Sequence, residues 1–489
     1  MKQKSIKLNA ILNVIKQSMS LLFPLITYPY VSRVLGADNL GRYSFSDSIV
    51  QIIITLSLIG IPTYAVREGS MIRNEKEKIK NFCAEVFTIN VISAIFSYLV
   101  LIIMVSAIER FRIENVFILI LSVNIMSRCL ARDWVNTIYE DYLYISIRFI
   151  IVHIISLAMI FIFVKGPGDL LKYVMIMAAS ELFGNILNIY YTHKRIPYSF
   201  RLTREMIRHL KPIFILFCSS VATTIYIRSD IAILGFLRPD SDVGIYTMSS
   251  KVYTIVKNTI NAVITVTIPR LSFYLGENIQ EGRREYNRLL NNLRNILVLI
   301  LFPASVGLFC LSSDAMYILG GSEFQRGDVS LQILCIALMF AVFGCFFAHA
   351  VLIVNRKEED FFKATVLSAL INISLNFVFI PLMGINGAAV TTALSELCIV
   401  LYCGLSARKY YVSDREKTWK YTSTTIIECL LIIVISIGVR SICNGRALRV
   451  LLTIGLSLLA YLIILMITGN EILLDSVNKI RNKIKGKTR

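Results

Sequence analysis

Residues 228–255 read "RSDIAILGFLRPDSDVGIYTMSSKVYTI", and residues 28–52 read "YPYVSRVLGADNLGRYSFSDSIVQI". Both run apolar span, Leu-Gly, short polar loop, Gly-x-Tyr, apolar span. The Gly-x-Tyr elements are Gly41–Tyr43 and Gly244–Tyr246, and the second loop is four residues longer. The match sets spans 1 and 2 against spans 7 and 8, so six helices make one unit. Six is even, so both units start on the same side of a membrane. That is a parallel repeat about an axis along the membrane normal, the plan of a transporter that rocks two lobes.

Composition makes this an integral membrane chain. Of 489 residues, 56% are hydrophobic and only 17% charged, with mean hydropathy +0.66. A soluble chain of this length needs far more charged surface. About 20 apolar residues cross a bilayer core as a helix. Fourteen candidate spans meet that need, at 9–32, 42–64, 83–106, 113–130, 143–164, 172–192, 212–235, 244–268, 291–314, 328–354, 363–382, 386–406, 421–440 and 447–467. The expected fold is all-α, with an N-terminal six-helix lobe over 1–192, a cytoplasmic linker over 193–211 and a second six-helix lobe over 212–406. Two extra helices and a basic tail fill 407–489. Runs this long and unbroken exclude a barrel.

The net charge of +19 gives no reason to expect nucleic acid, because Lys and Arg fall in the breaks between apolar runs. They are about three times as frequent on one set of loops as on the other, which predicts both termini in the cytoplasm. Most of these charges set topology and meet anionic membrane lipids. The basic start "MKQKSIKLNA" leads into an apolar run without a small-residue cleavage site, and reads as an uncleaved first helix. Ten cysteines include no CxxC pair, so a metal site is not expected. Walker, HExxH and GxSxG sequences are missing. No loop is long enough for a catalytic domain. The expectation is a transporter without a cofactor, driven by a gradient.

Charged residues inside the spans are the candidate functional groups. Arg228 and Lys251 each sit roughly 10 Å below the expected outer surface, counting helical rise. Lys257 is deeper on span 8, Arg148 is in span 5, and Arg33 lies near the outer end of span 1. A charge at mid-span costs about 2.5–3.5 kcal/mol or more. One reading is a wet basic cavity in which Arg33, Arg148, Arg228, Lys251 and Lys257 bind a phosphate or diphosphate. The other is a set of interhelical salt bridges, such as Asp230 with Lys251 or Lys257. Arg228 and Asp230 diverge by about 200° on one helix and do not pair directly. The intramembrane acids Asp47, Glu181, Asp230 and Glu396 are candidate ion-coupling groups, or else neutral carboxyls that support packing. Asp47 and Asp230 stand out because both lie on the repeated helix pair.

"PYVSRVLGADNLGRYSFSDSI" (29–49), "AVREGSMIR" (65–73), "EDYLYISIRFIIVHIISLAMIFIFVK" (140–165) and the 228–252 stretch together resemble bacterial polysaccharide flippases of the Wzx type. These flippases belong to the multidrug/oligosaccharidyl-lipid/polysaccharide exporter superfamily, which includes the MATE-like transporters. The resemblance implies two six-helix lobes, a central cationic cavity and two C-terminal helices. It implies transfer of an undecaprenyl-diphosphate-linked oligosaccharide between leaflets of the bacterial plasma membrane, driven by protons or Na+, with glycan polymerase or other assembly proteins as partners. The family's Arg and Asp of span 7 and Lys of span 8 fall on Arg228, Asp230 and Lys251, and the first-lobe counterparts on Arg33 and Asp47. Asp47 stands where a neutral polar residue is expected. Rival readings are a MATE-like drug/cation antiporter, whose cavity would favour acids and aromatics, and a membrane polysaccharide polymerase or ligase, which would carry a large outer loop.

Overall fold

The computed structural model describes residues 6–276 and 279–468. The first five residues and the basic tail 469–489 lie outside the described residues. Every long element is a helix, because in hydrocarbon each backbone N–H and C=O must find its partner within the segment. Among the described residues, twelve stretches are long and apolar enough to cross a membrane. The expected fourteen is an approximate count. The first two expected spans fall in a single 58-residue stretch, and the eighth falls in a helix too polar to qualify. That helix carries Lys251, Lys257 and a series of hydroxyl side chains. The chain is a multi-pass membrane protein.

The chain divides into two compact units. The first holds residues 1–247 and 372–385. Its helices are α1 (Ile6–Leu58), α2 (Ile61–Ile72), α3 (Lys76–Ala107), α4 (Glu109–Ile113), α5 (Asn115–Ala131), α6 (Asp133–Ile138), α7 (Tyr142–Phe163), α8 (Leu170–Arg195) and α9 (Ile207–Leu237). It also takes the first turns of α10 (Asp240–Gly276). The second holds 248–371 and 386–489. Its helices are the rest of α10, α11 (Ile279–Cys310), α12 (Ser312–Gly320), α13 (Asp328–Cys345), most of α14 (Glu358–Met383), α15 (Ile385–Ala407), α16 (Arg415–Ile442) and α17 (Arg446–Ile467). The end of α14 belongs to the first unit.

Helix α3 shows how the pattern suits lipid. Ile92, Ile95, Phe96, Leu99, Ile102 and Ile103 recur at helical spacing on an exposed face, with Phe96 63% exposed. Asn90 and Ser97 are buried, and Asn90 donates to the Ser57 carbonyl at 2.9 Å. The apolar face is outward and the polar groups are inward, as a hydrocarbon solvent requires.

The repeated motif has a structural use that its spelling did not disclose. Residues 36–41, expected as a loop, are helical from Ala37 on. The break is at Gly36 alone, with φ 79° and ψ 173°, which only glycine tolerates easily. Likewise the second loop shrinks to Arg238 and Pro239 between α9 and α10. The two Gly-x-Tyr elements then lie against one another. A Cβ on Gly41 would fall 1.7 Å from the Asp240 carbonyl oxygen, and one on Gly244 would fall 2.0 Å from the Ala37 carbonyl oxygen. Backbone meets backbone here because neither residue has a side chain, as in other close membrane-helix contacts.

Segment 193–211 is tied to the first unit. Arg132 donates to the Ile196 carbonyl at 2.7 Å and lies 3.4 Å from the centre of the Tyr198 ring. Glu85, 1% exposed, accepts from Thr203 Oγ1 at 3.2 Å and His209 Nε2 at 3.0 Å. The carboxylate can only accept, so His209 donates from Nε2 and takes the Tyr64 hydroxyl, 2.6 Å away, on Nδ1.

Gly41→Ala is expected to lower stability by about 1–3 kcal/mol, because the contact it overfills is backbone. Gly307→Ala, whose added carbon meets its nearest neighbour at 4.0 Å, is the control and should change stability by no more than about 0.5 kcal/mol. Thermal unfolding of the purified chain in detergent measures both.

Candidate functional site

The charged residues of the repeated helices form a pair rather than a bare cationic cluster. Arg228 Nη1 on α9 donates to Asp47 Oδ2 on α1 at 3.1 Å. Their side chains are 33% and 21% exposed. The pair therefore stays accessible to a polar ligand, and its attraction is not that of a sealed interior. Asp47 also accepts from Gln51 Nε2 at 3.1 Å, one turn along its own helix. Near the end of α9, Arg110 donates to the Gly235 carbonyl at 3.0 Å and pairs with Asp240.

Asp230, two residues from Arg228, points elsewhere, as the helical angle requires. It is 7% exposed and accepts from the Tyr246 hydroxyl at 2.9 Å and from Asn376 Nδ2 at 2.8 Å. Asn376 also donates to Asn372 Oδ1 at 3.1 Å, and Ser229 Oγ donates to that same oxygen at 2.7 Å. Of the two lysines expected as partners of Asp230, Lys257 is paired with Glu396 instead, and the Asn376 amide of α14 and the Tyr246 hydroxyl of α10 bond the Asp230 carboxylate.

Lys257 Nζ lies 3.1 Å from Glu396 Oε1, which the Tyr253 hydroxyl also meets at 2.8 Å. The ammonium sits 4.9 Å from the Tyr253 ring centre. Glu396 is 5% exposed, so the pair is a largely desolvated one inside the second unit. Lys251 is half-buried on α10, and Arg33 occupies an exposed position on α1.

Arg148 and Glu181 line one cavity of the first unit, and Arg128 beside them donates to Gln51 Oε1 at 3.2 Å, the residue that also bonds Asp47. Arg148 donates to Asp133 at 2.7 Å, and Glu181 is paired with Arg128 and accepts from Asn124 at 3.2 Å. Sequence reasoning missed Arg128, Tyr246, Tyr253, Asn372 and Asn376. Tyr246 was visible within the Gly-x-Tyr repeat, and Asn372 and Asn376 share a helix face at i, i+4 inside a span. Buried amides in a membrane helix are signal enough to have been weighed. No group of three or more His, Cys, Asp or Glu side chains among the described residues is arranged to hold a metal ion.

Comparison with known proteins follows the same lines. The model of a family described as polysaccharide biosynthesis protein matches residues 6–275. A protein of Escherichia coli K12 named "Putative O-antigen transporter" is 21% identical over 398 residues, 81% of this chain and 95% of its own. "Probable low-salt glycan biosynthesis flippase Agl15" of Haloferax volcanii is 29% identical over 197 residues, 40% of each chain. Among solved structures, the lipid II flippase MurJ in an inward closed conformation superposes with a TM-score of 0.75 at 18% identity. The likeness covers 95% of this chain and 100% of that one, and it establishes a shared fold.

Glu396→Leu strips Lys257 of its carboxylate and is expected to lower stability by about 3 kcal/mol, less whatever water relieves at the partly exposed ammonium. Adding Lys257→Met should restore most of it, since an apolar pair needs no counter-charge. Chemical or thermal unfolding of the single and double variants measures the difference.

Proposed function

The chain belongs to the polysaccharide biosynthesis protein family, to which the Wzx-type flippases that its motifs resemble are related, and from that membership we propose that it carries lipid-linked oligosaccharide across the bacterial plasma membrane. The cargo is an undecaprenyl-diphosphate-linked repeat unit, taken from the cytoplasmic leaflet to the outer one. It is a transporter, like the relatives it matches, and not an enzyme. The two six-helix halves, 1–192 and 212–406, are the moving parts of alternating access, and both termini are cytoplasmic.

The observation that carries the reading is Arg228, a guanidinium inside a membrane-spanning helix, paired with Asp47 yet one-third exposed. A diphosphate offers more negative charge and more acceptor oxygens than one carboxylate, and guanidinium binds it in a bidentate fork. The empty protein holds Arg228 with Asp47; the head group takes Asp47's place as cargo enters. The exchange keeps Arg228 neutralised throughout, which avoids the cost of an isolated charge in a low-dielectric site. Arg33, on the same helix as Asp47, adds a second cation nearer the surface, and Lys251 keeps the substrate-binding role that the resemblance gives it.

Asp230 is the coupling group. It gathers a carboxylate, two side-chain amides and two hydroxyls in a buried cluster. Oxygen-rich sets of this kind suit a hard cation, and an intramembrane carboxyl can instead carry a proton. Occupation by either changes what Tyr246 and Asn376 bond to, and so links the ion to the packing of α9, α10 and α14.

In cells lacking the chromosomal gene, Arg228→Ala is expected to reach the membrane in normal amount, to abolish surface glycan and to leave lipid-linked units on the inner face. Asp230→Asn should reduce glycan by about tenfold or more, the equivalent of a lost charge-assisted interaction. Surface glycan at wild-type level in Arg228→Ala overturns the proposal. Unpolymerised units accumulating on the outer face would instead point to the polymerase class.

A further inference from the structure

Helix α16 turns a partly polar face toward α11 and α17. Tyr421, Thr424, Thr425, Glu428, Ile432 and Ser436 recur on it at helical spacing, and all are buried. The threonines there are spent on their own helix. Thr424 Oγ1 donates to the Lys420 carbonyl at 2.9 Å, and Thr425 Oγ1 to the Tyr421 carbonyl at 2.8 Å. Glu428 is 1% exposed, and both of its carboxyl oxygens are buried without a hydrogen-bond partner.

The cations of the packed helices are engaged elsewhere or out of reach. On α11, Arg294 is held by Ser413 and Thr418. On α17, Arg449 pairs with Asp314 of α12 at 3.0 Å, and Arg446 donates to Gln325 at 3.0 Å. Lys420 and Arg440, on α16 itself, lie more than two turns away at exposed positions. The titratable groups around the carboxyl are Cys429 on its own helix, Cys310 on α11 and Tyr461 on α17. The Tyr461 hydroxyl donates to the Leu299 carbonyl at 3.3 Å instead.

An ionised carboxylate can only accept, and here nothing donates to it and no charge opposes it. Keeping that charge costs far more than taking up a proton. A protonated carboxyl is neutral and gains an O–H donor, which can use the helix's own carbonyls as the neighbouring threonines do. A cavity of about 540 Å³ adjoins this point, between α11, α12, α16 and α17. Ile432, one turn beyond Glu428, stands in its wall with Tyr461. So do Thr453 and Ser457, one turn apart on α17, whose hydroxyl oxygens are buried without partners. Two unspent hydroxyls beside a space of this size can hold water.

We propose that Glu428 is a proton-binding site, filled in this conformation, and that its proton exchanges with water through the adjoining cavity. The site lies within the second unit, on a helix that follows the two six-helix halves. It rests on neither Arg228 nor Asp230, and it stands whether or not the chain moves lipid-linked glycan. Loss of the proton leaves a bare carboxylate between α11 and α16, so that seam must then admit water or part. Proton occupancy is thereby tied to the packing of α16.

The test uses the purified full chain at neutral pH in a maltoside detergent, which has no ester carbonyl of its own. The infrared spectrum of the native chain minus that of Glu428→Gln should contain the carbonyl stretch of a protonated carboxylic acid, and that band should shift on transfer to D2O. Glu428→Leu should lose the same band, and it reads out where the amide variant fails to fold. The band should persist in Asp230→Asn. Ser457→Leu, which fills the cavity, should slow the shift in D2O several-fold. An acid band undiminished in the Glu428 variants, or a carboxylate band lost in its place, overturns the proton site. A shift as fast in Ser457→Leu as in the native chain overturns the route through the cavity.

Discussion

A charge inside a membrane helix must be matched, and the matches in this chain organise what surrounds them. Arg228 meets Asp47, Lys257 meets Glu396, and Arg128 meets Glu181. Each pair joins helices far apart in sequence, so each is a constraint on the fold as well as a chemical group. Exposure separates them. Glu396 is closed in with one hydroxyl and one ammonium donor and reads as a fixed structural pair, whereas Arg228 and Asp47 are more exposed. The same electrostatic rule thus yields a staple in one place and a candidate binding group in another.

The glycines complete that arrangement. Gly41 and Gly244 let the backbones of the repeated elements touch, and Gly235 brings α9 against Phe45, whose ring carbon lies 2.2 Å from where a Cβ would be. Close approach shortens the reach that Arg228 must span to Asp47. The Phe45 and Phe111 rings, with centroids 5.9 Å apart, and the Phe236 ring fill the space beside the contact. Small residues permit the crossing, aromatic rings fill its flanks, and the ion pair fixes its register.

Much of this was legible from the residues. Runs of apolar residues longer than a bilayer is thick admit only helices, so class and approximate span number followed from length and composition. The repeat pointed to the right stretches, 28–52 and 228–255, because glycine and charge are both conspicuous against an apolar background. What failed was local and pairwise. The loop at 36–41 was misjudged because a single glycine breaks a helix without needing a polar turn. At Asp230 formal charge drew attention to lysines, of which Lys257 has Glu396 instead, while the neutral amide of Asn376, which bonds the carboxylate, went unweighed. A one-dimensional string also gives no distance between helices, so it did not reveal that Arg148 pairs with Asp133 and Arg228 with Asp47.

The central claim is that Arg228 trades a carboxylate for the diphosphate of the cargo. Its most direct test is transfer itself. The chain is reconstituted into liposomes with a labelled undecaprenyl-diphosphate oligosaccharide, and the fraction reaching the opposite leaflet is followed under an imposed proton or sodium gradient. The account predicts gradient-dependent transfer by the native chain and none above protein-free liposomes when Arg228 is alanine. Transfer at the native rate without the guanidinium would contradict it.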